Sequence, residues 1–576
     1  MAKFVILGGG IAGVSAALEL ADAGHEIEII ERFSELLSGS SDDTPCRLGL
    51  GFHYPDHATA IKYLHTTIEI LKKYPDYIIT GPDKNDLNHP YRRGRYFAVE
   101  GSQFDLEEIC KLHKVLKEEY KKLVAQDSQN KVLGDPEFFS KSLPVSEYEN
   151  SVNTSYIVAA FETAEQTLDW PRLKKHLIDR VNNHPNITAH RNTKVTSFES
   201  GVREEKTTHF RYQVNLKNTQ DNNQKHAPIL TDHVINATWE NIETLNETAG
   251  FHMKLNSRTN RTKVLIEIEL PPHFETTLNP ITTPDGNIEW KTVPAPAHPM
   301  FFCFGPYTAL TPVGGNKAYL TYEPITNVKD PNGVEQKTMG LDVSEFSARL
   351  LAGKATEEEK QWFGTSIIQG AAKFIKNLAG AKVLSVRFGN VRTLGRVDIN
   401  DPESDHHKRD KDDIRSLAVG LIQYPSMKLL YFMAGSMIVK QIVKEHLKAS
   451  EIIDSAIKQA ETSTSSFIIK QNLDRALNED TEIQKIVTPE EKNQSDNTKK
   501  IVSMLVNTIN QKSKICRELL ATPPKLCGTF QEKKPEPSLT SVKNLVGYFE
   551  KRTTKRKPAT EAAHVRSTTK NMTSGG

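Results

Sequence analysis

The sequence has few cysteines, almost no net charge and no long apolar run. Five cysteines are scattered over 576 residues without a C-x-x-C pair, which argues against a disulfide framework and against a cysteine-based zinc site. The formal charge of +2 at pH 7 is too small to indicate a nucleic-acid partner. The apolar stretch 429–439 is far shorter than the roughly 20 residues that cross a bilayer. We therefore expect a cytoplasmic protein without a membrane span.

The apolar N-terminal segment has the pattern of a β–α–β unit and not of a signal peptide, because it lacks a charged n-region and a cleavage site. Residues 4–7 form a short apolar run typical of a buried parallel strand, 11–23 have helical spacing, and 27–30 predict a second strand. Glu31 ends that strand. An acid about 20 residues after a glycine turn is expected to bond the ribose of a dinucleotide. Glu31, with Arg32 beside it, is therefore predicted to bind the cofactor.

Three glycines form G-x-G-x-x-G between the first strand and the helix. Gly8 permits the tight turn, Gly10 lets a pyrophosphate approach the backbone, and Gly13 lets the helix pack closely on the strand. The unpaired N–H groups at the start of the helix, at Ile11 and Ala12, are expected to attract the phosphates. The alternative is a glycine-rich turn in an ordinary α/β protein, which the surrounding pattern and the position of the acid disfavour.

Further segments follow this unit in a characteristic order. They are a Ser-rich loop (38–41), RLGLGFHY (47–54), TLDW (167–170), NTKV (192–195), VINAT (234–238), and YPSMK (424–428) before a helical pattern that reaches about residue 447. Over about residues 1–450 the chain thereby resembles the flavoprotein oxidoreductases of the D-amino-acid-oxidase type. That superfamily includes glycine and sarcosine oxidases, glycerol-3-phosphate dehydrogenases and 2-hydroxyglutarate dehydrogenases.

The resemblance implies FAD as the cofactor. Beyond the glycine turn and Glu31, the residues that it places against FAD are Ser40, Ser41, Val195, Ala237, Thr238 and Lys428. Two departures from the family pattern stand out. Trp239 takes the place of the glycine in Ala-Thr-Gly, so the adenine end is expected to pack differently. The segment 424–428 replaces a glycine-rich turn before the last helix.

The resemblance also implies the fold, which is α/β: a Rossmann-like FAD-binding domain assembled from separate segments, covered by a mostly antiparallel substrate domain. A change of composition after about residue 450, towards Ser, Thr, Gln, Lys and Asn, predicts a helical and then disordered C-terminal extension. The expected boundaries are 1–80, 166–250 and 381–450 for the FAD-binding domain, 81–165 and 251–380 for the cap, 451–528 for the helical extension, and 529–576 for the disordered basic tail.

The C-terminal tail leaves two interpretations open. Apolar residues at helical spacing in 541–552 and a basic cluster at 551–557 would suit a protein partner or an acidic surface. A disordered, solubilising tail is the simpler alternative. The acidic and His-rich run 401–413 is predicted to be a solvated loop and not a metal site, because it lacks fixed ligand spacing.

The predicted reaction is transfer of a hydride from the C–H bond of a small amine or 2-hydroxy acid to the flavin. Arg387 is predicted to bind a substrate anion, with Arg95, Arg392 and Arg396 as further candidates. His53 is predicted to accept a proton, and Tyr424 to donate a hydrogen bond. Each of these residues has a purely structural alternative. An NAD-linked dehydrogenase, and an idle flavoprotein that acts through its tail, are the alternative functions. A flavin bond to Cys46 is a minor alternative.

Overall fold

The protein is described here from a computed structural model. The described residues are 1–79, 93–200, 212–221, 226–251, 258–285, 287–295, 297–339, 343–395, 397–398, 400–401, 404–405, 414–418, 420–425 and 429–462. All of them belong to one unit of the chain, Met1–Pro524. Lys428, the tail, and most of the predicted helical extension, including its helical patterns at 466–487 and 498–521, lie outside the described residues.

Helices surround the sheets on several sides. Within the described residues the α-helices are α1 (Ile11–Ala21), α2 (His57–Lys73), α3 (Leu106–Gln126), α4 (Trp170–Asn183), α5 (Ile242–Thr248), α6 (Glu323–Thr326), α7 (Glu345–Leu351), α8 (Glu357–Ala371) and α9 (Phe432–Thr462). Side chains cap several of them. Asp105 and Glu108 form a capping box at α3, and Asp169 accepts the N–H of Arg172 at α4, which explains where these helices begin.

Strands supply most of the remaining regular structure. In the described part of the chain they are β1 (Lys3–Leu7), β2 (Glu26–Ile30), β3 (Gly94–Val99), β4 (Ser140–Ser142), β5 (Ile157–Thr163), β6 (Ile187–His190), β7 (Thr193–Ser200), β8 (Tyr212–Asn218), β9 (Ile229–Thr231), β10 (Val234–Asn236), β11 (Arg258–Glu269), β12 (Glu275–Thr282), β13 (Ile288–Ala295), β14 (Met300–Cys303), β15 (Thr308–Gly314), β16 (Lys317–Tyr322), β17 (Lys337–Met339), β18 (Lys382–Leu394), β19 (Arg415–Ala418) and β20 (Leu421–Gln423).

The first sheet is mainly parallel and carries the glycine turn. Its strand order is β19-β20-β10-β1-β2-β6, and all neighbours are parallel except β19 and β20. Successive residues of β1 enter different cores: Phe4 and Ile6 pack with α1, whereas Val5 and Leu7 pack against the β7–β8–β9 side. A strand covered on both faces explains the continuous apolar run in the sequence.

The second sheet is mostly antiparallel. Its order is β17-β11-β16-β15-β14-β3-β5-β4, with β18 paired along the other edge of β11, and only β14 and β3 run parallel. Helix α8 packs on one face of this sheet through Phe363 and Ile367. The other face of β11 and β18 turns towards the glycine turn. The predicted α/β fold, with a Rossmann-like sheet and a mostly antiparallel second sheet, is confirmed.

Three elements differ from the sequence prediction. The apolar pattern of 417–424 predicts a single strand, but the structure has two, β19 and β20, because the chain reverses at Gly420, whose φ of +83° suits glycine. The pattern of 383–388 predicts a short strand, whereas the strand in the structure extends over the whole of β18. The helix predicted to end at about residue 447 continues to Thr462, after a 3₁₀ turn at 429–431.

No helix among the described residues is long and apolar enough to cross a membrane. The same part of the chain contains no group of three or more His, Cys, Asp or Glu side chains that is arranged to hold a metal ion. Most of the acidic run 401–413 lies outside it.

Candidate functional site

The glycine turn at the end of β1 has no room for side chains. Gly8 has φ +98°, and a Cβ there would lie 2.7 Å from the carbonyl oxygen of Ala237. A Cβ on Gly13 would overlap the carbonyl oxygen of Gly8, and one on Gly10 would lie 3.2 Å from Ser41 Oγ. Helix, turn and neighbouring strand are therefore in direct backbone contact, as a pyrophosphate-binding turn requires.

The start of α1 offers backbone donors to the space beside the turn. The N–H of Ile11 donates to Ser41 Oγ at 2.9 Å, which fixes the Ser-rich loop on the helix terminus. The N–H of Ala12 has no protein acceptor among the described residues. Because the first N–H groups of a helix carry its positive end, an anion beside Ala12 would meet both a donor and a favourable field.

Glu31 stands at the end of β2 and is 7% exposed. Its carboxylate accepts the N–H of Gly9 at 2.7 Å and the N–H of Phe33 at 2.9 Å, one on each oxygen. Burial raises the pKa of Glu31, although the two backbone donors act in the opposite direction. Each oxygen keeps a second lone pair. The carboxylate is therefore held in place and can still accept a hydroxyl from a ribose.

These groups border one cavity of about 570 Å³ that runs from the glycine turn to the second sheet. Of the predicted cofactor residues, those that line it are Gly8, Gly10, Ile11, Ala12, Glu31, Arg32, Ser40, Ser41, Val195, Ala237 and Thr238. Gly13 is not among the lining residues, since it serves the packing of α1 on the turn.

The adenosine end of the cavity lies beside β2, β7 and β10. Val195, on β7, is 7% exposed and lines the wall. Thr238 donates its hydroxyl to Asn236 Oδ1 at 2.6 Å, which fixes the chain locally at the end of β10, and the N–H of Ala237 donates to the carbonyl oxygen of Leu7 at 2.8 Å. Arg32 reaches Glu240 at 2.6 Å. Short side chains at the end of β10 leave the space that a dinucleotide needs.

Residues 389–391 of β18 close the cavity from the second sheet. The carbonyl oxygen of Asn390 accepts the indole N–H of Trp239 at 2.9 Å and lies 3.4 Å from Ser40 Oγ. A strand of the second sheet is thus bonded to both the Ser-rich loop and the end of β10. The Ser-rich loop that was predicted to bind phosphate is also a point of contact between the two sheets.

Trp239, the first departure noted in the sequence, has a defined role in this closure. It lies in the left-handed region at φ +57°, which is unusual for a bulky residue. Its carbonyl oxygen accepts a hydrogen bond from Arg392, whose second nitrogen pairs with Glu243 Oε2 at 2.7 Å. Arg392 and Glu243 are 1% and 3% exposed. Arg392, predicted as a substrate-binding candidate, is therefore engaged in a buried ion pair.

Beyond the Ser-rich loop the cavity is bordered by aromatic and cationic side chains. The guanidinium carbon of Arg47 lies 4.9 Å from the ring centre of Phe301. His53 packs 4.2 Å from the ring of Tyr54 and 5.5 Å from that of Phe301, measured between centres. Arg47, His53, Tyr54 and Phe301 all line the cavity. His53 thus lies on the cavity wall, and its role in proton transfer stays a prediction.

The other two predicted catalytic residues have less favourable positions. Arg387 does not line the cavity; it donates to the carbonyl oxygen of Asp42 at 3.0 Å and lies over the ring of Tyr319. Tyr424 lines the cavity but is fully buried, and its hydroxyl donates to the carbonyl oxygen of Phe432 at 3.0 Å. A substrate role for Arg387 and Tyr424 stays a prediction that no contact among the described residues supports.

Two cationic residues of β11 escaped the sequence analysis. Arg261 and Lys263 line the cavity, and their partners in register on β18 are Val391 and Gly389. Lys263 forms an ion pair with Glu323, with its Nζ 2.8 Å from Oε2. Alternation along β11 was a signal available in the sequence, since every second residue of a strand faces the same side.

Cys46 is not suited to form a covalent bond with the flavin. It is buried, it does not line the cavity, and burial raises the pKa of its thiol to about 12. A thiol must ionise to act as a nucleophile. The minor alternative of a Cys46-linked flavin therefore has no support in the geometry.

The comparisons with known proteins agree with this site. Residues 3–277 match the family model described as DAO, FAD dependent oxidoreductase. This part of the chain is a DAO-type FAD-dependent oxidoreductase domain, the protein is an enzyme, and its cofactor is FAD. The glycine cradle, the open helix terminus at Ala12 and the fixed carboxylate of Glu31 fit that cofactor. No curated protein matches the sequence.

Several solved structures align with this chain. Glycine oxidase from Geobacillus kaustophilus is 12% identical, with 77% of this chain and 95% of that chain covered and a TM-score of 0.48. L-proline dehydrogenase from P.horikoshii is 18% identical, with 77% and 94% covered and a TM-score of 0.47. L-amino acid deaminase from Proteus vulgaris is 11% identical, with 76% and 92% covered and a TM-score of 0.47.

Proposed function

We propose that this enzyme oxidises a small amine or 2-hydroxy acid that carries a carboxylate. When bound, FAD supplies the oxidant, because its flavin accepts a hydride from a C–H bond beside nitrogen or oxygen. The glycine turn, the start of α1 and Glu31 would hold the diphosphate and the ribose. The protein's own contribution at the other end of the cavity is to bind the substrate anion and to orient it.

The position of Arg47 at the cavity wall is the observation that supports this proposal. Its side chain borders the cavity beside Phe301, and its Nη1 is buried without a hydrogen-bond partner among the described residues. A buried donor without an acceptor is costly unless a ligand supplies one. A guanidinium is well suited to bind a carboxylate through two parallel hydrogen bonds. Arg47 therefore takes the role that the sequence had assigned to Arg387.

An anaerobic substrate panel on the FAD-loaded protein tests the proposal. Small amino acids and 2-hydroxy acids are added one at a time, each beside its amide, and the flavin absorbance is followed. We expect at least one acid to bleach the flavin and its amide to do so only weakly. Bleaching by none of the acids would refute the proposal, and equal bleaching by acid and amide would refute the carboxylate requirement.

Two arginine variants make the test specific. Arg47→Met removes the guanidinium and keeps an unbranched apolar side chain, and it should raise KM for the acid by about tenfold or more, as expected for a lost charge-assisted hydrogen bond. KM for the amide should change little. The matched control is Arg32→Met, because Arg32 borders the same cavity at its adenosine end and pairs with Glu240. An equal effect of both variants on KM would contradict the role of Arg47.

A further inference from the structure

Asp43 is a carboxylate on the cavity wall that the proposed function has not used. It follows the Ser-rich loop, lines the cavity, and has a side chain that is 16% exposed. The neighbouring Asp42 has a different setting: its side chain is 41% exposed and pairs with Lys174 at 3.1 Å. Two adjacent acids of the same loop therefore face different surroundings.

The Asp43 carboxylate has few partners. Its nearest cation is Arg387, whose Nη1 lies 3.9 Å from Oδ1, which is too long for a hydrogen bond. That same Nη1 donates to the carbonyl oxygen of Asp42. No N–H or O–H group of the described residues donates to the Asp43 side chain. Its acceptor positions therefore remain available to a donor within the cavity.

Gly389 makes space above this carboxylate. A Cβ on Gly389 would lie 3.3 Å from the Cβ of Asp43, so a larger side chain on β18 would crowd the acid. Lys263 is the register partner of Gly389, but its charge is already bound to Glu323 at 3.1 and 2.8 Å. The charged groups that act on Asp43 are thus Arg387 from β18, Lys174 from α4, and Asp42 from its own loop.

A carboxylate with open acceptor positions in a largely buried cavity calls for a cationic donor. We propose that Asp43 binds the ammonium group of an amine substrate and accepts one of its protons, so that the enzyme acts on amines in preference to 2-hydroxy acids. This inference rests on the proposed function and narrows its substrate class. A neutral hydroxyl would donate only one hydrogen bond to Asp43, whereas an ammonium group would also neutralise the charge of the carboxylate.

Transfer of a proton from the substrate ammonium to Asp43 needs no other reactant. One N–H bond of the ammonium breaks, an O–H bond forms on Asp43, and the amine keeps the electron pair. The ammonium and the carboxylate become a neutral amine and a carboxylic acid, and neither is oxidised. A neutral amine has the lone pair that must assist departure of the hydride. Burial raises the pKa of Asp43 to about 6, against a smaller opposing effect of Arg387, which moves the acid closer to an ammonium in basicity.

Two inert ligands separate this inference from the proposed function. 2-Aminoisobutyrate and 2-hydroxyisobutyrate have the same shape and carboxylate, and neither has a hydrogen on the carbon that would be oxidised. Their dissociation constants for the FAD-loaded protein are measured from the flavin absorbance at pH 7.5. The variants are Asp43→Asn and, as a matched control on the same loop, Asp42→Asn.

We expect Asp43→Asn to raise the dissociation constant of 2-aminoisobutyrate by about tenfold or more, which is the effect of a lost charge-assisted hydrogen bond. The dissociation constant of 2-hydroxyisobutyrate should not change. Asp42→Asn should change neither. Equal effects of Asp43→Asn on the two ligands, or no effect, would overturn the inference. If the wild-type protein binds 2-hydroxyisobutyrate and not 2-aminoisobutyrate, the inference is overturned while the proposed function stands. If it binds neither ligand, both the inference and the proposed function are contradicted.

The pH dependence provides a second readout. The wild-type rate with an amine, expressed as kcat/KM, should fall as the pH drops through about 6, because protonated Asp43 can no longer accept a proton. Asp43→Asn should lack this acid limb and should retain the flavin absorbance of the bound cofactor. An unchanged acid limb in Asp43→Asn would assign the titration to another group and refute the role of Asp43.

Discussion

The buried ion pair between Arg392 and Glu243 should hold the second sheet to the FAD-binding part of the chain. Arg392 belongs to β18 and Glu243 to α5, and their side chains are 1% and 4% exposed, with a distance of 2.7 Å between Nη2 and Oε2. The perturbation is Glu243→Gln, which keeps the shape of the side chain and removes its charge. Arg392 then stays buried without its counter-charge.

The expected effect is large compared with the stability of a protein. Removal of one partner from a buried ion pair costs about 3–5 kcal/mol, whereas the total free energy of unfolding is about 5–15 kcal/mol. The matched control is Glu240→Gln in the same segment. Glu240 pairs with Arg32, but the two side chains are 29% and 41% exposed, and an exposed pair contributes only about 0–1 kcal/mol.

Urea unfolding of the FAD-loaded protein, followed by flavin and tryptophan fluorescence, measures the difference. Glu243→Gln should lower the midpoint strongly and Glu240→Gln hardly at all. Equal midpoints for the two glutamine variants would refute the reasoning.

Three further outcomes are expected. Gly13→Ala should purify without flavin absorbance, because the new methyl group overlaps the glycine turn. Gly24→Ala should retain it, because a Cβ there meets nothing within 4 Å and only the φ of +88° opposes the substitution. Iodoacetamide should label the exposed Cys110 long before Cys46, whose thiol pKa burial raises to about 12, and peptide mass spectrometry checks the order. Burial lowers the pKa of His113 to about 3, whereas an unfolded histidine titrates near 6.5. The free energy of unfolding should therefore fall as the pH decreases from about 6.5 to about 3, by up to about 1.4 kcal/mol per pH unit. His113→Asn should reduce this pH dependence, as measured from urea midpoints.

The cofactor end of the site was predictable because its determinants are local in the sequence. Gly8, Gly10 and Glu31 lie within one β–α–β unit, and the chemistry of a diphosphate and a ribose fixes both their types and their spacing. Parallel pairing of β1 and β2 then brings the acid beside the turn without any further information. The same holds for Ala237, which follows a buried strand that neighbours β1.

The substrate end was less predictable because it depends on register between distant strands. Gly389 lies close to Asp43 only because β18 pairs with β11 along its whole length. Neither segment contains a sequence pattern that predicts this pairing. Arg387 and Arg47 illustrate the consequence. Arg387 was predicted as an anion ligand and Arg47 was not, but the structure turns Arg387 towards Asp42, whereas Arg47 lies on the cavity wall.

The part of the chain that matches the family model ends at residue 277, yet the cavity does not. Its wall includes Gly389, Asn390 and Val391, and Asn390 is bonded to Trp239 and to Ser40, on opposite sides of the cofactor turn. A strand of the second sheet thus contacts both the Ser-rich loop and the end of β10. Trp239, which departs from the family's glycine, is thus one of several residues that join the matched segment to β18. Retention of FAD should therefore depend on the pairing of β11 with β18 as much as on the glycine turn itself.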